Sequence, residues 1–160
     1  MENLSNDVII HQKNKEIEYL QFRKLLEYPG IVHCYTLKAN NFDVAGNDTY
    51  KEKKDIVDAN YEKLANVLNI SKNTILRPYQ THTDIVKHVD RNYKKEKISI
   101  FPEEFMNVDG LITNLPNVTF SLGYADCIPL FFYDPVKKVI GNVHSGWKGT
   151  LKKIRTNCSI

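Results

Sequence analysis

Apolar positions along the chain fall into short runs separated by polar breaks, and the spacing inside each run predicts the elements. Val8-Ile9-Ile10 is a β-branched run leading to Lys13-Asn14-Lys15, which predicts a strand and a polar turn. Tyr19, Leu20, Phe22, Leu25 and Leu26 recur at near-helical spacing until Pro29-Gly30 stops the segment, which predicts a helix. Ile31 to Leu37 reads as a strand and Lys38 to Asn47, rich in Asn, as a loop. Ile56, Val57, Tyr61, Leu64, Ala65 and Leu68 then trace one face of a helix that Asp48 or Thr49 is placed to cap.

Thr74 to Tyr79 and Ile85 to Val89 read as strands flanking Gln80-Thr81-His82-Thr83, and Asp90 to Glu104 as a charged, exposed excursion. Val108 to Thr113, Val118 to Gly123, Ile128 to Tyr133 and Lys138 to Val143 follow as strands, with Asp134-Pro135 starting a turn between the last two. Their apolar runs predict a buried sheet. Leu151 and Ile154 continue a short helix opened by Gly146-Trp147-Lys148-Gly149. Strands alternating with helices permit a mixed α/β fold.

At 160 residues the chain suits one domain, or one and a part. Its hydrophobic share of 42% and charged share of 26% match ordinary globular proteins, so neither a coiled coil nor wholesale disorder is expected. A net charge of +3 and a pI near 8.6, from Lys and Arg scattered among acids, fall short of the clustered basic face that nucleic-acid binding needs. No secretory-type start and no membrane-length apolar run are seen, which predicts a cytoplasmic protein without a membrane partner. Cys34, Cys127 and Cys158 are too sparse and odd in number for a disulfide framework, so buried, metal-bound or reactive thiols are expected.

Three of the polar positions stand at ends of predicted strands. His82 follows one strand, Cys127 lies in the break Tyr124-Ala125-Asp126-Cys127, and His144 closes another strand before a Gly-rich turn. Two imidazoles and a thiolate are good zinc ligands and leave a fourth position open, as catalytic zinc requires. The plainer reading is a buried cysteine and two hydrogen-bonded histidines, in keeping with His11, His33 and His88, read as structural or surface residues. Trp147 offers an aromatic face to a base or, more simply, a side chain to the core; Lys148 is either a phosphate or ribose contact or an exposed lysine.

Gln80-Thr81-His82, Val108-Asp109-Gly110-Leu111-Ile112-Thr113, Ala125-Asp126-Cys127-Ile128-Pro129-Leu130 and His144-Ser145-Gly146-Trp147-Lys148-Gly149 occur in this order. In that order they resemble the laccase-domain, or YfiH-like, polyphenol oxidase family. Weaker similarity at His33 to Lys38 and at Asn60 extends the resemblance over most of the chain, so residues 1–160 read as a single domain of this kind. The resemblance implies a layered mixed β-sandwich with outer helices. It implies metal ligands at His82, Cys127 and His144, with zinc preferred over the copper of the family name. It also implies action on purine nucleosides with phosphate: a purine nucleoside phosphorylase and adenosine deaminase. Asp126 and Cys127 are the residues expected at the chemistry, Asp126 moving a proton or orienting a ligand, or else bonding backbone at a strand end.

Two departures qualify these expectations. Lys38 stands where relatives carry Arg, keeping charge without the planar fork. Relatives also continue well past the H-S-G-W-K-G segment, so the fold is expected to lack its C-terminal part and to leave strand edges open to self-association. Two alternatives follow: a Cys-His hydrolase of the peptidoglycan-editing type with Cys127 as nucleophile, or an inactive remnant.

Overall fold

The computed structural model describes residues 3–13, 17–37, 47–93 and 98–158. It divides into two compact units, Met1–Val44 with Thr49–Ile70, and Ala45–Asp48 with Ser71–Ile160.

In the first unit, β1 (Ile9–Lys13) pairs antiparallel with β2 (Glu18–Phe22), running from Ile9 opposite Phe22 to Lys13 opposite Glu18. The other edge of β2 takes β3 (Tyr35–Thr36), much shorter than the strand expected over 31–37. The helix expected from Tyr19 onward is thus a central strand, followed by only one helical turn, α1 (Arg23–Leu26). Near-helical spacing arose from a strand rich in aromatic residues running directly into that turn; ladder pairing on both sides outweighs local periodicity. The loop expected over 38–47 lies almost wholly outside the described residues.

α2 (Asn47–Leu68) begins ahead of both residues expected to cap it. It buries Val57, Tyr61, Leu64 and Ala65 at i, i+4, i+7 and i+8, whereas Ile56 is exposed. Its end is a Schellman motif: Asn69 takes a left-handed φ of 54°, Ile70 N–H donates to Ala65 O (2.9 Å) and Asn69 N–H to Asn66 O (3.3 Å).

His11 and His33 both serve this unit's structure. His11 Nε2 meets the buried Glu18 carboxylate at 2.8 Å. His33 Nε2 accepts the Phe22 N–H at 2.8 Å and its ring stacks on Phe22. Burial holds the His33 imidazole below its ordinary pKa, and the lone pair that accepts from Phe22 is the one a proton would take. The unfolded state therefore binds more protons, so this contribution is complete above about pH 6.5 and is lost as pH falls below it. The urea midpoint is expected to drop between about pH 7 and 5, and His33→Gln, which keeps an acceptor but cannot titrate, to flatten that drop. An unchanged pH profile in the variant would remove His33 from the account.

In the second unit, β4 (Ile75–Leu76) runs parallel to β7 (Thr119–Phe120). A separate four-stranded sheet has the order β5 (Val86–His88), β6 (Gly110–Thr113), β9 (Val139–Ser145), β8 (Ile128–Asp134). β5 and β6 are parallel and the remaining pairs antiparallel. Leu76, Val89, Phe105, Val108 and Leu111 form its apolar core.

Burial is uneven across this sheet. β6 is buried throughout and β9 from Gly141 onward, but β8 is an outer strand with Ile128 and Phe132 exposed. The turn expected at Asp134 is present, its Oδ1 accepting N–H bonds from Val136 (2.8 Å) and Lys137 (3.0 Å). After β9 come α3 (Trp147–Leu151) and a 3-10 turn, Ile154–Asn157, with Ile154 fully buried. Several sheets and a few helices make this the mixed α+β fold that was expected. Among the described residues, no helix is long and apolar enough to cross a membrane.

Candidate metal centre

The antiparallel registers bring the separated motifs to one end of the four-stranded sheet. Gly110 opposite Val143 puts the preceding Asp109 beside His144, whose N–H donates to Asp109 O at 2.7 Å. Ile128 opposite Ser145 puts Cys127, one step earlier, abreast of Gly146. His82 arrives from the loop between β4 and β5 with a left-handed φ of 61°. A non-glycine residue in that region costs about 1–2 kcal/mol, and such strain concentrates at functional sites.

His82, Cys127 and His144 each offer a ligand atom, and these atoms lie within 4.8 Å of one another. Zinc bonds of about 2.0–2.3 Å in tetrahedral geometry need separations of about 3.3–3.6 Å, so the widest pair must close by roughly 1 Å to hold the ion. The half-buried Cys127 and the exposed His82 have room to do so, while His144 is buried. The His82 and His144 rings meet edge to face with centroids 4.8 Å apart. Gly146 provides the floor: a Cβ built there would sit 2.8 Å from His82 Cδ2, 3.4 Å from Cys127 Sγ and 3.6 Å from His144 Cε1. The donor set thus fits a metal, and it is joined by the arrangement a metal-binding imidazole usually has behind it. With Asp109 ionised, His144 donates Nδ1–H to Oδ1 at 2.8 Å and keeps the Nε2 lone pair for the site.

Asp109, fully buried, is the functional residue that motif reading left without a role. Burial pushes its carboxyl up, but hydrogen bonds from His144, from the Thr83 hydroxyl and from the Thr83 and Thr81 N–H groups more than offset this and hold it below the usual carboxylate range. A signal was present: an acid directly before the apolar strand Gly110–Thr113 needs partners, and Thr81 and Thr83 flank a candidate ligand. Gln80 was also passed over; its amide pairs with Gly123 in both directions (2.9 and 2.7 Å), tying the His82 loop to the segment that leads to Cys127.

The other expected site residues are placed as follows. Asp126 is exposed, with the Cys127 thiol 3.6 Å from its Oδ1; the carboxylate that holds an imidazole is Asp109 instead. Burial pushes the Cys127 thiol up, and Asp126 and Asp109 push it further. Trp147 is 66% exposed, correcting the expectation that it packs in the core. It is the first residue of a five-residue helix that buries Gly149, and Lys148 Nζ lies 5.5 Å from its ring centroid. Lys38 lies outside the described residues. Cys34, Cys127 and Cys158 are all free thiols.

Fold and site together define a mixed α+β protein built around a His-Cys-His group suited to a metal. The chain belongs to the family described as multi-copper polyphenol oxidoreductase laccase, whose model matches residues 37–159. It is 37% identical over 109 residues to purine nucleoside phosphorylase YlmD of Bacillus subtilis, an alignment covering 68% of this chain and 39% of that protein. A mouse purine nucleoside phosphorylase is 41% identical over 122 residues, covering 76% of this chain and 25% of that protein. Among solved structures, YlmD from Geobacillus stearothermophilus superposes with a TM-score of 0.71 at 24% identity, covering 93% of this chain and 57% of that one. Bacillus licheniformis YfiH gives 0.63 at 24% identity, covering 96% and 55%. The chain therefore spans between a quarter and somewhat over half of the length of these relatives, and at this identity the solved structures speak to the fold alone.

Proposed function

We propose that this chain carries the zinc site of a purine nucleoside phosphorylase that also deaminates adenosine, with His82, Cys127 and His144 as the ligands. The observation that carries the reading is the convergence of those three side chains at one sheet end, with Asp109 directing His144 Nε2 toward the others. Relatives named purine nucleoside phosphorylase support the substrate class.

Zinc is favoured over copper because two imidazoles and one thiolate leave a fourth tetrahedral position open for water, as catalytic zinc needs, whereas multicopper chemistry needs further imidazoles and none joins the group among the described residues. When bound, zinc supplies Lewis acidity and activates water at neutral pH. The chain's own residues do the rest. His144 is locked by Asp109, and the exposed Asp126 carboxylate beside Cys127 is assigned the proton in deamination, where water replaces the amino group and ammonia leaves. For the purine, the exposed Trp147 indole offers a stacking face, and the Lys148 ammonium is assigned to phosphate. Three free thiols suit a reducing compartment, and we place the protein in the cytoplasm.

The Cys-His hydrolase alternative needs a thiol pKa pulled down, and here burial and two carboxylates push it up. The deciding experiment is metal content of the purified chain, followed by assays for inosine formation from adenosine and for base release from inosine with phosphate. One zinc per chain with either activity supports the reading. A folded, zinc-replete sample with neither activity overturns it, and rapid alkylation of metal-free Cys127 would favour the hydrolase.

A further inference from the structure

We infer that Asp109 is a shared positioning residue for both histidines, orienting the His144 ring and holding the backbone that carries His82; this rests on the metal-site reading above. The two oxygens divide the work. Oδ1 accepts from His144 Nδ1 (2.8 Å) and from the His82 N–H (3.1 Å). Oδ2 accepts from the Thr81 N–H (3.2 Å), the Thr83 N–H (2.8 Å) and the Thr83 hydroxyl (2.7 Å).

Three successive backbone N–H groups thus converge on one buried carboxylate, a nest for an anion supplied by the chain itself. That convergence accounts for the left-handed backbone at His82, a conformation uncommon outside glycine that the hydrogen bonds to Asp109 hold in place. The main chain of Asp109 is tied in as well, donating to Ile85 O at 3.0 Å and accepting from His144 N–H at 2.7 Å. The Cys127 thiol is directed instead to Asp126 Oδ1, at 3.6 Å. Two ligands that lie 62 positions apart in the chain (144 − 82) are therefore set by one side chain.

Asparagine at 109 separates positioning from mere filling of space. Its single amide oxygen can face the 81–83 nest or His144, but its NH2 group must face the other. Facing His144, it turns Nδ1 into an acceptor and moves the ring proton to Nε2, the nitrogen the metal needs. Facing the nest, it opposes N–H groups and releases the His82 loop. Either orientation disturbs one ligand.

The test compares wild type, Asp109→Asn and Thr83→Val. The readouts are zinc affinity by chelator competition, the visible spectrum of the cobalt-loaded chain, the melting temperature of the metal-free chain, and the His144 tautomer by 15N NMR without metal. Asp109→Asn is expected to weaken zinc about 10–100-fold and to change the cobalt spectrum. Thr83→Val, which removes the hydroxyl that donates to Asp109 Oδ2 and accepts from the Ile85 N–H but keeps the three backbone N–H groups and the His144 bond, should lower the metal-free melting temperature while leaving zinc affinity within about two-fold. Wild-type His144 should carry its proton on Nδ1. Wild-type affinity and spectrum in Asp109→Asn, or an Nε2–H tautomer in wild type, overturns the inference, and the second needs no variant to fold. If wild type takes up neither zinc nor cobalt while the tautomer is as expected, the metal reading falls and the orienting role of Asp109 toward His144 stands.

Discussion

Cys127→Ala and His144→Ala are each expected to hold zinc roughly 10²–10³-fold more weakly than the parent chain, because a full zinc set contributes about 10–16 kcal/mol and one ligand's share is about 3–4. The two variants differ in what else they disturb. Cys127 is half-buried at a bend and its thiol makes a long, exposed contact with Asp126, so its loss should leave the metal-free melting temperature nearly unchanged. His144 is buried on β9 and its ring donates to Asp109, so removing it should also destabilise the fold by about 1–3 kcal/mol, because a buried carboxylate oxygen loses its shorter hydrogen bond and keeps only the one from the His82 N–H. Zinc competition and thermal melts on both variants separate these effects. If Cys127→Ala keeps wild-type affinity, the thiol is not a ligand and the His-Cys-His assignment is wrong.

The residues at that site were legible as a set well before their geometry was. His82, Cys127 and His144 stood out as polar residues at strand ends, a placement that a buried cysteine and two hydrogen-bonded histidines would also explain, and it was the resemblance of four ordered segments to the laccase-domain family that joined them as a metal set. What joins them in space is pairing between distant strands. The register that sets Gly110 against Val143 also sets Asp109 against His144, and no local pattern encodes which strands pair. Asp109 was therefore read only as part of a motif, although its burial directly before an apolar strand demanded partners. The same limit explains β2: Tyr19, Leu20 and Phe22 fit a helical stripe until two neighbouring strands are known to flank them. α2 was legible because its core face repeats over several turns and needs no long-range partner to define it. Trp147 was misjudged by average burial, since its position at the start of a very short helix after a glycine leaves the indole outside.

Gly146→Ala is expected to weaken zinc by an amount approaching the loss of a whole ligand, while changing the melting temperature of the metal-free chain little. Gly146 has φ −69° and ψ 173°, a conformation any L-residue adopts, so alanine brings no backbone strain. The added methyl nevertheless points into the site. At 2.8 Å from His82 Cδ2 it overlaps the ring, which must retreat by more than half an ångström to reach ordinary contact at about 3.5 Å. His82 is exposed and can swing outward without cost to the core, which is why stability should survive. Metal geometry is less forgiving, because ligand distances are held to about ±0.2 Å and the retreat takes the imidazole away from a group that must already draw together. The Cys127 Sγ at 3.4 Å and His144 Cε1 at 3.6 Å bound the methyl on its other sides, so it cannot be absorbed by moving the helix start alone. Wild-type zinc affinity in Gly146→Ala would place the metal somewhere other than between these three side chains; a loss of affinity with the fold intact would show that the glycine of this segment serves the site and not the helix.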